Sequence, residues 1–303
     1  MDRIAVLTSG GDSPGMNAAI RAVARTCFFN DKECVGVLRG YEGLIDGDFI
    51  PLTRSSVGGI IHRGGTILKT ARSERFTTPE GRREALARMR AAGIEGLVVI
   101  GGDGSFHGAK ELHDMGMPVI GIPGTIDNDV AGTDETIGFD TAVNTALEAV
   151  MRLRDTASSH DRLFIVEVMG RNAGFLALEI AVASGAEYVV VPELPLSIGN
   201  LCQRLRLSQA KGKSHTLIIL AEGVMSANEM KDKLQDTGGY DARVTVLGYI
   251  QRGGSPTSFD VLLASRMGAY AAESLLIGKS GYMVGNVNRS EEHTSELQSL
   301  GAI

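Results

Sequence analysis

No apolar run in the 303 residues approaches the roughly 20 that a membrane-spanning helix needs, which argues against a helical membrane protein. The N-terminus shows no charged-then-greasy-then-small leader layout and enters a strand pattern at once, Arg3-Ile4-Ala5-Val6-Leu7-Thr8. Cysteine is scarce: the three residues are odd in number, scattered and in no metal-ligand spacing, which reads as reduced thiols of a cytoplasmic protein. Excess positive charge is missing as well, and a net charge of -6 argues against a general nucleic-acid binder. No Gly-x-x-x-x-Gly-Lys-Ser/Thr occurs, which argues against a P-loop kinase. No Gly-x-Gly-x-x-Gly follows the first strand, which weakens a dinucleotide-binding reading.

Glycine, by contrast, is abundant: 39 residues, about twice the usual share, with no collagen period. Such glycines belong in turns and in loops that approach a ligand closely. A 43 % hydrophobic content excludes global disorder, and the length suits two domains.

The glycines fall where strands end. Val6-Leu7-Thr8 runs into Ser9-Gly10-Gly11-Asp12-Ser13-Pro14-Gly15, after which Met16, Ile20, Val23 and Cys27 recur at helical spacing. Leu97 to Ile100 runs into Gly101-Gly102-Asp103-Gly104-Ser105 and a helix through Glu111, and Val119 to Ile122 runs into Pro123-Gly124-Thr125-Ile126-Asp127-Asn128-Asp129. The second half repeats the design, with strands at Leu163–Val168, Tyr188–Val191 and Leu217–Leu220. These are continuous apolar runs, as parallel strands buried on both faces require. Strand and helix alternate, so the expected fold is α/β: two similar Rossmann-like three-layer domains with largely parallel sheets. Ligands of such sheets bind beyond the carboxyl ends of the strands, where the glycine clusters sit. The pattern places a first domain at 1–138 plus 251–288, the return running through a helix from Phe259 to Leu276. A second domain covers 139–250 and opens with a helix from about Thr141 to Arg154. From Arg289 the chain reads polar and aperiodic, and its string matches the translation of a sequencing-library adapter. Residues 289–303 are expected to be a non-native tail outside the fold.

Gly101 to Ser105, between strand and helix, could cradle a polyphosphate on the helix N-terminus, with Asp103 suited to a magnesium ion; a tight turn with a solvated aspartate is the alternative. Asp127 and Asp129 beside Thr125 could divide base and metal duties in phosphoryl transfer, or simply form an Asx-turn cluster. Arg72, Arg162, Arg171, Arg243 and Arg252 recur at expected loop positions. Singly each reads as surface charge; together, beside glycines and strand ends, they suggest phosphate forks.

These motifs, with Met169-Gly170-Arg171 and Gln251-Arg252-Gly253-Gly254-Ser255-Pro256, resemble in order and separation the bacterial ATP-dependent 6-phosphofructokinase family, from Met1 to about Asn288. The resemblance implies phosphoryl transfer from magnesium ATP to the 1-hydroxyl of fructose 6-phosphate, a glycolytic step. It places Gly11, Tyr41, Arg72, Ser73, Gly102, Asp103, Gly104, Ser105 and Gly108 at ATP, and Asp103 and Asp129 at the metal. Asp127 matches the general base, and Thr125, Arg171 and Arg72 match groups that stabilise the transferring phosphoryl. Thr125, Asp127, Arg162, Met169, Gly170, Arg171, Glu222, Arg243, Tyr249 and Arg252 match the sugar-phosphate site. Arg162 and Arg243 are supplied in that family by a neighbouring subunit, which implies a homotetramer. Arg21, Arg25, Arg54, Arg154, Gly185, Glu187, Lys211, Lys213 and His215 match an effector site for ADP or phosphoenolpyruvate. Read from the residues alone, Arg21 and Arg25 are i,i+4 neighbours on a helix and fit a solvated face equally well.

The chain departs from the pattern at Tyr249, where the family usually has a histidine that touches the 6-phosphate, and weaker sugar-phosphate affinity is expected. Three rival readings fit less well. A pyrophosphate-dependent relative would typically carry Asp at 104 and Lys at 124, and both are glycine here. A non-catalytic sensor would be expected to lose the base or the metal carboxylate, and Asp103, Asp127 and Asp129 are present. A lipid or NAD kinase sharing only the Gly-Gly-Asp-Gly turn leaves Gln251–Pro256 unexplained.

Overall fold

The structure is a computed structural model and describes residues 1–160, 162–287 and 290–296. It divides into two units, one comprising Met1–Thr125, Asp129–Asp140 and the chain from Arg252, the other Ile126–Asn128 and Thr141–Gln251. The expected division differs at Ile126–Asn128 and Gln251, which group with the second unit, and at Phe139–Asp140, which group with the first.

The first unit opens with β1 (Arg3–Thr8), α1 (Met16–Phe29), β2 (Glu33–Val37), α2 (Gly40–Asp46) and β3 (Phe49–Pro51). It continues through α3 (Pro79–Ala91), β4 (Gly96–Gly101), α4 (Asp103–Asp114) and β5 (Val119–Pro123). The start of α3 shows why these residues form a helix there. Thr78 caps it by accepting the N–H of Gly81, Pro79 fills the first turn, Glu80 follows, and Arg88 and Arg90 face the carbonyl end.

The second unit takes over two residues into α5 (Phe139–His160). It runs through β6 (Leu163–Val168), α6 (Phe175–Ser184), β7 (Tyr188–Val190), α7 (Ile198–Ala210), β8 (Thr216–Ala221), α8 (Ala227–Gly238) and β9 (Ala242–Val246). Its four strands are all parallel, in the order β7-β8-β6-β9. Leu201, Cys202 and Leu205 of α7 and Met230 and Leu234 of α8 cover one face, and α6 packs against β8. Arg243, expected in a loop, lies on β9. Ala242–Val246 alternates rather than running apolar, as an edge strand with one open face does.

The chain then returns to the first unit through α9 (Ser258–Leu276), β10 (Tyr282–Val287) and β11 (Ser290–Glu296). The first sheet is ordered β11-β10-β5-β4-β1-β2-β3, parallel except for β3 and β11. Alternate residues along its strands feed two cores. Ile4, Val6, Val98 and Ile100 join α1 and α9 on one face, while Ala5, Leu7, Leu97 and Val99 join α2, α3 and α4 on the other. These are the three expected layers. α1 and α9 approach so closely that a Cβ on Gly268 would lie 2.7 Å from the Ala19 carbonyl. Gly138 donates its N–H to Asp260 Oδ1 at 2.8 Å, tying α9 to the start of α5.

Ser290–Glu296, expected outside the fold, pairs antiparallel with β10. An open sheet edge offers backbone donors and acceptors that an extended segment satisfies whatever its side-chain period. The rest of the expected tail, 289 and 297–303, lies outside the described residues. The three cysteines are free and buried.

Candidate active site

In the first unit β1, β4 and β5 are neighbours, so their glycine-rich C-terminal loops emerge side by side. Ser9 N–H donates to Ile100 O at 2.9 Å, and Gly124 N–H to Gly101 O at 3.0 Å, which carries the sheet pairing into the loops. Gly101 has to be glycine: a Cβ there would lie 2.5 Å from the Ser9 carbonyl. Gly102 faces Thr125, with 3.8 Å between its would-be Cβ and the Thr125 Cβ. Gly104 borders open space, so packing does not require glycine there.

Asp103 is the first residue of α4, where the helix dipole favours a carboxylate. Asp129 lies in the same unit, in the loop that follows β5. Both offer hard oxygen donors. Among the described residues no group of three or more His, Cys, Asp or Glu could hold a metal. A carboxylate at a helix start suits magnesium, which takes one or two carboxylates and completes its shell with phosphate and water.

Tyr41, on α2, stacks on Phe76 with ring centroids 4.1 Å apart and 17° between planes. Its hydroxyl donates to the Ser105 carbonyl, and burial pushes its pKa up, so it stays a donor. A Cβ on Gly108 would come within 2.8 Å of the Tyr41 ring. Tyr41, Gly108 and Ser105 are therefore brought together, with Tyr41 turned into the protein. Arg72 is exposed, and Ser73 donates its hydroxyl to Glu42. Gly11 lies against the guanidinium of Arg252, its would-be Cβ 3.1 Å from Cζ, so two residues expected at different ligands are neighbours.

In the second unit the C-terminal end of β6 carries Met169, Gly170 and Arg171. Gly170 has φ 134° and Arg171 φ 51°, the latter a left-handed conformation that a non-glycine residue holds only where its surroundings fix it. Here they do. Arg171 N–H donates to Glu222 Oε1 at 3.0 Å, and Glu222 N–H to the Val168 carbonyl at 3.0 Å. A Cβ on Gly223 would run into the Arg171 carbonyl. Met169 N–H donates to Oε1 of the buried Gln251, also at 3.0 Å. Asp127 groups with this unit and is 5 % exposed.

Arg162 precedes β6, and Arg243 pairs in register with Phe164 at the start of the same strand. Both belong to the amino end of the sheet. The six residues of β6, about 20 Å, separate Arg162 from Met169–Arg171, and four of them, Ile165–Val168, lie between the register position of Arg243 and Met169. Arg243 is ion-paired to Asp241 at 3.0 Å. Tyr249 lies in the short turn Gly248–Arg252 and is 78 % exposed, its ring not packed on the sheet.

The expected effector residues form two groups. Arg21 and Arg25 lie on α1, with Arg54 donating to the Phe28 carbonyl at the end of that helix, in the first unit. In the second unit Arg154 donates to the Gly185 carbonyl at 2.7 Å, and Glu187 takes Lys213 Nζ at 2.8 Å and Leu217 N–H at 2.6 Å. Lys211 and His215 flank Lys213 in the α7–β8 loop. Phe76, Glu42 and the Gln251 side chain were not singled out from the sequence. Only Gln251 carried a signal, its place in the glycine-rich segment before α9.

In the first unit, adjacent glycine-lined strand ends with a carboxylate at a helix start suit a phosphate-transferring enzyme of the α/β class. A family model described as Phosphofructokinase matches residues 3–275. The ATP-dependent 6-phosphofructokinase of Halalkalibacterium halodurans is 55 % identical over 293 residues, covering 97 % of this chain and 92 % of that protein. ATP-dependent 6-phosphofructokinase 1 of Thermus thermophilus is 57 % identical over 290 residues, covering 95 % and 90 %. A solved structure of phosphofructokinase from Saccharomyces cerevisiae superposes with TM-score 0.91 at 37 % identity, over 99 % of this chain. The chain spans 45 % of that yeast chain's length. The chain belongs to the phosphofructokinase family.

Proposed function

We propose that the chain transfers the γ-phosphoryl group of ATP to the 1-hydroxyl of fructose 6-phosphate, giving fructose 1,6-bisphosphate, as a cytoplasmic homotetramer of glycolysis. The observation that carries the choice of donor is the space at Gly104. A carboxylate there would repel an α-phosphate, and glycine leaves room for the nucleotide. The printed names of the two bacterial relatives support the same choice.

In this reading the amides that open α4 and the Gly101–Ser105 loop receive the polyphosphate on a positive helix end. Asp103, with Asp129 in support, would hold magnesium, which when bound neutralises charge on the β- and γ-oxygens. Asp127 accepts the proton of the attacking hydroxyl. Arg72, Arg171 and Thr125 spread the charge that develops on the transferring group. Gly170, Met169, Glu222 and Arg252 shape the seat of the sugar phosphate.

The 20 Å between the ends of β6 supports subunit sharing. Arg162 and Arg243 lie toward the opposite end of that strand from Met169–Arg171 and would serve a neighbour's ligand. Phe175, Leu178 and Val182, exposed at i, i+3 and i+7 on α6, support self-association. ADP or phosphoenolpyruvate would bind the two basic groups around Arg21 and Lys213.

A coupled assay with fructose 6-phosphate and either magnesium ATP or pyrophosphate tests the reading. Bisphosphate should form with ATP and much more slowly with pyrophosphate. Equal or faster turnover with pyrophosphate would overturn it.

A further inference from the structure

Between α2 and the segment that follows Leu68 there is a link that the chemistry above does not use. Residues 69–73 have no regular secondary structure, yet Arg72 and Ser73 lie within them. Thr8 holds its start through the Lys69 carbonyl, and what fixes its C-terminal end is Glu42. Both of its carboxylate oxygens are engaged: Ser73 Oγ donates to Oε2, and Arg75 Nη1 donates to Oε1 at 2.7 Å. Arg75 Nη1 also reaches Asp46 Oδ1, one turn along α2, at 2.8 Å. Ser73 Oγ in turn accepts the backbone N–H of Phe76 at 3.1 Å, and Phe76 stacks on Tyr41, the neighbour of Glu42 on the same helix. Two consecutive residues of α2 thus hold the segment, one through its ring and one through its charge.

Ser73 has a single hydroxyl proton, and it is committed to Glu42. Its contribution toward a nucleotide is therefore backbone position and not a side-chain donor. Arg72 carries four side-chain rotors, and holding the chain on its C-terminal side reduces the freedom it must lose when it engages phosphate. The bonds from Arg75 are charge-assisted at both ends, which suits a carboxylate at position 42 better than an amide.

We propose that Glu42 is a positioning residue for the nucleotide: its carboxylate fixes the 72–76 segment so that Arg72 and Ser73 meet the polyphosphate in one geometry. This rests on the reading of Arg72 and Ser73 as nucleotide-site residues.

The test compares Glu42→Ala, Glu42→Gln, Arg72→Ala and the Glu42→Ala/Arg72→Ala pair with the parent full chain, by saturation kinetics for each substrate and by Tm. Glu42→Ala should raise KM for ATP about tenfold and leave KM for fructose 6-phosphate within about twofold. Glu42→Gln, which keeps one acceptor oxygen, should fall between. In the Arg72→Ala background the effect of Glu42→Ala should shrink, leaving only the part carried by Ser73. A folded Glu42→Ala protein with parental KM for ATP overturns the proposal, and so does an undiminished effect in the Arg72→Ala background. If Arg72→Ala itself keeps parental kinetics with ATP, the nucleotide reading falls first and takes this proposal with it. Should Glu42→Ala fail to fold, Glu42→Gln and Ser73→Ala each sever part of the link and are read in the same way.

Discussion

The backbone N–H of Arg171 is held by the carboxylate of Glu222, 51 residues further along the chain, at 3.0 Å. That bond keeps Arg171 in its left-handed conformation and sets the direction from which its side chain leaves β6. Removing the acceptor leaves a strained residue without its restraint. Glu222→Ala should therefore raise KM for fructose 6-phosphate about tenfold and also lower kcat, with Glu222→Gln milder on both. Substrate saturation curves decide it; parental values for Glu222→Ala would remove Glu222 from the site.

Asp127 is a carboxylate 5 % exposed beside a glycine-rich strand end. A general base acts in the transition state, so Asp127→Ser should lower kcat by roughly 10²–10⁴ and leave sugar-phosphate binding near parental. Turnover and equilibrium binding, measured on one preparation, separate the two effects. Near-parental turnover would exclude Asp127 as the base.

Gly104 borders open space at the second position of α4. An aspartate there meets no clash and sits at a helix end that favours negative charge. Gly104→Asp should keep Tm within about 2 °C of the parent while raising KM for ATP strongly. A loss of stability with unchanged ATP kinetics would mean that glycine serves the fold there and not the nucleotide.

Burial works against ionisation of Glu187, but the hydrogen bonds from Lys213 and from Leu217 N–H outweigh it and hold its carboxyl below the ordinary 4.5. The sign follows from linkage: a carboxyl depressed in the folded protein stabilises it above the unfolded value, and that contribution disappears as pH falls through the folded one. Glu187→Gln should therefore be less stable than the parent at neutral pH, with the gap closing below about pH 4.5. Tm measured across this window checks it; a gap that stays constant to low pH contradicts the ion pair's role.

Tyr249 is 78 % exposed, so its replacement removes little buried surface. Histidine would add partial positive charge near neutral pH, which a phenol does not carry. Tyr249→His should tighten fructose 6-phosphate binding several-fold, most below neutral pH, with kcat and Tm little changed. Saturation at two pH values tests this, and an unchanged or weaker affinity at both sinks it.

The sequence made the strand ends legible because a sheet covered on both faces demands apolar runs, and the runs at β1, β4 and β5 stop at or within two residues of a glycine, of which Gly101 is required by the crowding of the Ser9 carbonyl. It was less informative where those demands relax. β9 alternates, so Arg243 passed for a loop residue. α5 extends to His160 because Asp155–His160 continue the helix with no apolar stripe to mark them. The link from Glu42 to Ser73 and the stack of Tyr41 on Phe76 join residues more than 30 positions apart. No local period encodes such pairs; only the packing of α2 against the later segment creates them.

The return of α9 and β10 to the first sheet has a consequence for how the molecule is made. The helix that α1 packs against, at Gly268, and the strand that pairs with β5 leave the ribosome more than 200 residues after α1. At a typical 5–20 residues per second the first sheet waits roughly 8–33 seconds for its missing strand and its covering helix, with Ile4, Val6 and Val98 facing no finished layer. The chain from Thr141 to Gln251 is nearly contiguous and can close its own four-stranded sheet during that wait. The second unit is thus positioned to fold before the first, and a nascent chain stalled short of α9 would present an apolar face for chaperones to shield.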